Sequence, residues 1–265
     1  MGEILIAFFL GCVEGLTEFL PISSTGHMII VGKLLNFTDE RAKTFEIFIQ
    51  LGAILGVVAL YWRSFFSMFL PGQKSAVLRW PVVMVAVLPV LVVGFLLRGF
   101  IKSFLFSSYT VALALIAGGV VMLFIERFSK KLYGNDLIGN ADKITGRQAL
   151  LIGLYQCLAL WPGMSRSAAT IIGGLMVGLE KREAAKFSFI IAVPVMMVAV
   201  AYELLKSWHF LQPGDLLIFS VGFITAFIVG VLSIKGFIFF LNKHSFFAFG
   251  LYRIVVGVVI LIFQI

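Results

Sequence analysis

The sequence predicts an all-α polytopic membrane protein. It is read as an inverted-topology repeat in which each half is a re-entrant helical hairpin followed by three transmembrane helices. Three observations predict it. The 265 residues are 61% hydrophobic and 13% charged, with a mean hydropathy of +1.08, more apolar surface than a soluble domain of this length can bury. Six apolar runs approach the roughly 20 residues that cross about 30 Å of hydrocarbon. Two further apolar stretches are broken at the centre, and one register relates the first half of the chain to the second.

The first broken stretch, about 3–35, holds two short helical arms around Pro21-Ile-Ser-Ser-Thr-Gly26. Its start lacks basic residues, and Glu14 and Glu18 lie within its apolar run, which reads against a cleaved leader. Neither arm spans a bilayer, so the stretch is expected to re-enter, buried in protein or lining a cavity. Crossings follow at about 44–62, 80–98 and 107–125, then a loop at about 126–146. The second broken stretch, about 147–178, turns at Pro162-Gly163 and leads into crossings at about 184–206, 215–240 and 245–264. The domain reading is one transmembrane domain over 1–265, with repeat 1 at about 1–125 and repeat 2 at about 147–265. The register is 142 residues: Glu14 falls on Gln156, Ser23 on Ser165, Phe45 on Phe187, and Gly94-Phe95 on Gly236-Phe237. Three crossings per half invert the second half relative to the first, so the two hairpins enter from opposite faces.

The net charge of +8 needs no nucleic-acid partner, because the basic residues sit in short loops as orientation determinants. Lys33, Arg41, Lys43, Arg98, Lys102 and Lys206 fall on the face holding both termini, and thirteen others, among them Lys74, Arg127, Lys181 and Lys243, on the opposite face. Positive-inside then places the 126–146 loop in the cytoplasm and both termini outside. Cys12 and Cys157 lie in apolar surroundings and imply neither a metal cluster nor a disulfide.

The chemistry is concentrated in the hairpins, since ionisable groups at membrane depth are costly without a task. Glu14 and Glu18 are four apart, on one helical face. Two carboxylates there suit a divalent cation completed by phosphate oxygens, or acid–base work. Ser23, Ser24 and Thr25 follow the helix-stopping Pro21 and open the second arm, where a helix N-terminus attracts an anion. His27 fits a general base, a covalent nucleophile or a leaving-group acid, whereas His209 and His244 read as interfacial residues without a role. The second hairpin adds Ser165, Arg166, Ser167 and Thr170. The Arg166 fork matches phosphate bidentately or pairs at rest with Glu18. Arg253 either partners a carboxylate or snorkels. Glu46, Gln50 and Glu203 are lesser candidates, and Gly52-x-x-x-Gly56 and Gly174-x-x-x-Gly178 read as helix-packing sites.

Glu14-Gly-Leu-Thr-Glu18-Phe-Leu-Pro-Ile-Ser-Ser-Thr-Gly-His27 resembles the first signature of the undecaprenyl-pyrophosphate phosphatases, the bacitracin-resistance family. Pro162-Gly163-Met-Ser165-Arg166-Ser167-Ala-Ala-Thr170 resembles the second, and the likeness spans essentially the whole chain. It implies an enzyme of the bacterial cytoplasmic membrane that removes the terminal phosphate of undecaprenyl pyrophosphate, recycling the lipid carrier for cell-wall synthesis. It further implies Glu14, Glu18, Ser24, His27 and Arg166 as functional residues, Mg²⁺ or Ca²⁺ as cofactor, and an extracytoplasmic opening. The rival reading is a transporter or flippase for a polyprenyl phosphate or other anion, because inverted repeats with broken helices also build transporters.

Overall fold

A computed structural model describes residues 2–68, 79–134, 137–207 and 213–263. Lys74 and His209 lie outside them. Among the described residues there are ten α-helices and no strand beyond an isolated bridge between Ile138 and Leu179. The first hairpin is α1 (Glu3–Thr17) and α2 (Ser24–Leu34). It is followed by α3 (Glu40–Ser67), α4 (Trp80–Phe100) and α5 (Ser108–Tyr133). The second hairpin is α6 (Gly146–Gln156) and α7 (Arg166–Met176), followed by α8 (Lys181–Ser207), α9 (Leu216–Phe240) and α10 (Phe247–Phe263).

Among the described residues five segments are long and apolar enough to cross a membrane: Arg41–Ser67, Trp80–Leu105, Ser108–Tyr133, Lys181–Lys206 and Leu216–Phe240. The sixth expected crossing is α10, an apolar helix of 17 residues, about 25 Å long at 1.5 Å per residue. Of the hairpin arms α1 has 15 residues and α2, α6 and α7 have 11 each, so none spans alone. Local chemistry sets the helix starts. The Asp39 side chain accepts from Ala42 N–H at 2.7 Å, and Ser107 with Thr110 and Thr145 with Gln148 form capping boxes.

Two boundaries differ from the sequence reading. Helix α5 continues to Tyr133, beyond the expected start of a loop at 126, because its polar last turns dock on α7. There the Ser129 hydroxyl donates to Leu175 O (2.9 Å) and the Tyr133 hydroxyl to Met176 O (2.8 Å). Helix α7 ends at Met176, so Gly178 is not a helix-packing residue. It sits at φ +90°, a turn conformation that glycine adopts without strain.

Each half packs against the other. Helix α1 lies along α9 and α6 along α4, while α3 meets α8 and α10 runs along α5. Ion pairs gather the ends: Arg41 bridges Glu3 (3.3 Å) and Asp215 (2.6 Å), joining the starts of α1, α3 and α9. At the opposite end Lys181 donates to His244 O (2.8 Å) and lies 3.6 Å from Glu126.

Candidate active site

Both hairpin turns are built alike. Ser23 and Ser165 each sit at φ 71°, and each side chain accepts from the N–H three residues on, Gly26 and Ala168 respectively. This reverses the chain sharply and starts α2 at Ser24 and α7 at Arg166. In the 142-residue register Ser24 and Arg166 are equivalent first-turn residues. The two turns are tied together: Ser167 Oγ donates to Leu20 O at 2.8 Å. Arg253, 0% exposed in α10, donates to Pro21 O (3.1 Å) of one turn and Gly163 O (3.1 Å) of the other. Its remaining bonds reach Leu115 O and Ala114 O in α5, at 3.3 and 3.2 Å. Arg253 therefore neither snorkels nor pairs with a carboxylate. It is a buried staple whose guanidinium satisfies carbonyls that a turn leaves without partners.

The staple brings both first-turn side chains onto one carboxylate. Ser24 Oγ donates to Glu18 Oε2 at 2.5 Å, and Arg166 Nη2 lies 3.3 Å from Glu18 Oε1. Arg166 is held in plane by Ser188, donating to its carbonyl at 3.1 Å and its hydroxyl at 3.4 Å, with its guanidinium carbon 5.9 Å from the Phe19 ring centre. Thr170 accepts or donates to the Ser188 hydroxyl at 2.6 Å and donates to Arg166 O at 2.9 Å. Glu18, Ser23, Ser24, Thr25, Ser165 and Arg166 line a cavity of about 190 Å³ together with Gln50. Its other wall is apolar, formed by Val90, Leu160, Val195, Met196 and Ala199. A larger hollow of about 300 Å³ beside Tyr61, Arg182 and Lys235 has no such carboxylate–hydroxyl–guanidinium set, so chemistry rather than volume marks the site.

The matched family model is that of the bacitracin resistance protein BacA, over residues 7–259. The chain belongs to the BacA family. Membership and five membrane-length apolar helices make it a multi-pass membrane protein of a family associated with undecaprenyl pyrophosphate phosphatase.

Set against the expectations for a BacA-family site, three of the five central residues converge: Glu18, Ser24 and Arg166. Glu14 lies beneath them, 4% exposed, with Glu18, Glu46 and Arg166 as its charged neighbours. Its Oε1 is buried without a hydrogen-bond partner. Among the described residues no hydrogen bond joins His27 to Ser24. The His27 Nδ1 meets Ser23 O (2.8 Å) and its Nε2 meets the Tyr252 hydroxyl (2.7 Å), with the two rings stacked. The two residues lie one turn apart on α2, but each is taken by another partner: the His27 ring is held between Ser23 O and Tyr252 of α10, and the Ser24 hydroxyl is held by Glu18. Ser167 and Thr170 also do not line the cavity; they brace the turn and Arg166. Sequence reasoning missed Ser188 and Tyr252, and left Arg253 undecided. Ser188 carried a signal, as a hydroxyl in an apolar crossing at the position equivalent to Glu46.

Two buried carboxylates, one with an orphaned oxygen, are donors that suit a hard divalent cation. Among the described residues no three His, Cys, Asp or Glu side chains group into a metal cage, so such an ion would take its remaining ligands from phosphate oxygens or water.

Proposed function

We propose that the chain hydrolyses undecaprenyl pyrophosphate to undecaprenyl phosphate and inorganic phosphate, recycling the lipid carrier for cell-wall synthesis. One observation carries this reading: a single cavity joins a hydroxyl–carboxylate–guanidinium cluster to an apolar wall, matching a phosphorylated head on a hydrocarbon tail. A passive anion path needs the arginine and the helix N-termini. It does not need a serine hydroxyl held at 2.5 Å from a carboxylate.

Arg166 neutralises the terminal phosphoryl oxygens with its planar fork, and the first-turn N–H groups of α2 and α7 add partial positive charge. Ser24 Oγ forms a bond to the terminal phosphorus as its proton passes to Glu18. The anhydride P–O bond breaks, and its electron pair leaves with the polyprenyl monophosphate. Water then displaces Ser24 from phosphorus, Glu18 returns the proton to Oγ, and phosphate departs. Glu14 and Glu18 would hold Mg²⁺ or Ca²⁺, which supplies further neutralisation of the pyrophosphate. His27 anchors the start of α2 through Ser23 O and Tyr252.

In the cell the site opens on the extracytoplasmic side of the cytoplasmic membrane, with both termini outside. The charge asymmetry of the loops supports this orientation. The mechanism is tested by acid-quench trapping with terminally labelled pyrophosphate substrate. Wild type and His27→Ala yield a labelled peptide containing Ser24, and Ser24→Ala yields none. Label on His27, or turnover without Ser24, removes this mechanism.

A further inference from the structure

Helices α3 and α9 touch through small residues, and where those residues end a hollow begins. On α3 a Cβ on Gly52 would run into Phe223 O and one on Gly56 would sit 3.3 Å from Phe227 O, so the missing side chains let the backbones meet. One turn further the same stripe reaches Leu60. On α9 a Cβ on Gly222 would strike the Phe45 ring of α3, and one on Gly230 would sit 3.5 Å from Ala53 Cα. One and two turns beyond Gly230 that stripe carries Ile234 and Ile238. Next to Leu60, Tyr61 breaks α3 with non-helical angles of φ −110° and ψ 21°. These four side chains wall the hollow of about 300 Å³, and Lys235 and Phe239 of α9, Arg182 in the first turn of α8 and Asn242 just past α9 complete it. It shares no lining residue with the active-site cavity.

The polar groups of this hollow suit an anion. Arg182 and Lys235 bring two cations from two helices, and Tyr61 and Asn242 add a hydroxyl and an amide. Among the described residues none of these four side chains has a hydrogen-bond or ion-pair partner, and no carboxylate lines the hollow. The carboxylates of this end are engaged elsewhere. Glu183, a charged neighbour of Tyr61, pairs with Lys186 at 2.5 Å and accepts from Ala141 N–H at 3.2 Å. Glu126 lies 3.8 Å from Lys130 and 3.6 Å from Lys181. Two cations facing one space repel each other until an anion lies between them. In the 142-residue register the positions of Arg182 and Lys235 hold Glu40 and Val93, so this cation pair is no part of the repeated pattern.

The level of the hollow decides which anion. Beside it Trp62 is 55% exposed with the Arg63 guanidinium carbon 5.4 Å from its ring centre, and Phe239 is 70% exposed, the aromatic and basic mixture of a membrane–water interface. Leu60, Ile234 and Ile238 give the hollow an apolar wall that a free phosphate ion leaves unused. We infer that this hollow binds the phosphate head of an anionic membrane phospholipid. Arg182 and Lys235 neutralise the phosphate, Tyr61 and Asn242 donate to its oxygens, and the apolar wall flanks the start of an acyl chain. This lipid is not the substrate, and its binding is independent of the proposed reaction.

The test titrates the full chain in detergent with phosphatidylglycerol or phosphatidylcholine and counts bound lipid by native mass spectrometry. Wild type holds one phosphatidylglycerol about tenfold more tightly than phosphatidylcholine, and millimolar inorganic phosphate does not displace it. Arg182→Gln with Lys235→Gln brings the two lipids within about twofold of each other, and Tyr61→Phe with Asn242→Ala lowers the preference by about threefold. Lys131→Gln with Arg147→Gln removes the same charge from the same end, outside the hollow, and leaves the preference unchanged. A phosphatidylglycerol carrying a diazirine beside its glycerol labels peptides containing residues 60–61 and 234–242 of the wild-type protein. Equal binding of the two lipids by wild type overturns the site, as does a preference that survives loss of Arg182 and Lys235 or falls with Lys131 and Arg147. Displacement by inorganic phosphate makes it a free-anion site and overturns the lipid. The label map needs no variant, so label absent from those peptides overturns the site even where a variant fails to fold.

Discussion

The two hairpins share a backbone and divide the chemistry. Each turns through a serine at φ 71° that caps the next helix, and each aims its first helical side chain at the same point. Yet the first hairpin carries Glu14, Glu18 and Ser24 where the second carries Gln156, Leu160 and Arg166. Two identical acidic hairpins would crowd carboxylates around a pyrophosphate, and two cationic ones would lack a base. The difference teaches that two turns of like backbone can carry unlike chemistry, through side chains that differ at three paired positions of the 142-residue register.

The largest effects follow from removing the two convergent side chains. Ser24→Ala and Arg166→Ala should each lower kcat/KM by about 10³-fold or more, because in the proposed mechanism each acts on the reacting phosphoryl group. Arg166→Lys recovers part of the loss, since the charge remains but the fork that spans Glu18 and Ser188 does not. Steady-state phosphate release in detergent micelles checks all three. Full activity in Ser24→Ala would show that the shared focus of the hairpins is not the reacting centre.

Making the first hairpin resemble the second should cost less. Glu14→Gln gives α1 the residue that α6 has at Gln156, keeping size while removing a charge. We expect kcat to fall about 10²-fold with a rightward shift in Mg²⁺ or Ca²⁺ dependence, the second-carboxylate role expected of a hard-cation ligand. Activity titrated against cation concentration reads this out. An unshifted cation curve would make Glu14 a structural residue.

How far the site was legible follows from the same residues. Carboxylates, hydroxyls and an arginine in apolar sequence are energetically conspicuous, and the helical hairpins around them show in their broken apolar runs. Direction was not legible. His27 and Ser24 lie one turn apart on the same helix, but Tyr252 takes the His27 ring and Glu18 the Ser24 hydroxyl, so proximity along the chain suggested a contact that the structure gives to Glu18. Arg253 was opaque for another reason. Its partners are backbone carbonyls of Pro21, Gly163, Ala114 and Leu115, and carbonyls carry no sequence signal. Likewise the polar end of α5 looked like a loop, because its docking on α7 runs through single side-chain bonds rather than an apolar stripe.

Arg253 holds the comparison together mechanically, since it bonds both turns at once. Arg253→Met strands the buried turn carbonyls of Pro21 and Gly163, each costing roughly 1–3 kcal/mol when unsatisfied, whereas those of Ala114 and Leu115 keep their helical partners in α5. We expect a loss of several kcal/mol in all, seen as a lower Tm. Activity surviving at low temperature would separate this effect from catalysis. Arg253→Lys retains one or two of the bonds and falls between.

The smallest effect is the most discriminating about the shared backbone. At φ 71° a serine is strained by roughly 1–2 kcal/mol, which glycine relieves, while its cap on Gly26 or Ala168 is worth about 1 kcal/mol. Ser23→Gly and Ser165→Gly should therefore each change Tm by only a few degrees. Their effects on turnover should differ. Ser23 also presents the carbonyl that anchors His27, directly before Ser24, so loosening it disturbs the proposed nucleophile. Ser165 Oγ instead bonds the Ser167 hydroxyl at 2.9 Å, beside an Arg166 already held by Ser188 and Glu18. Ser23→Gly should lower kcat about tenfold and Ser165→Gly about threefold. Equal losses would mean that the turns act alike, and that the asymmetry of the site resides in the first-turn side chains alone.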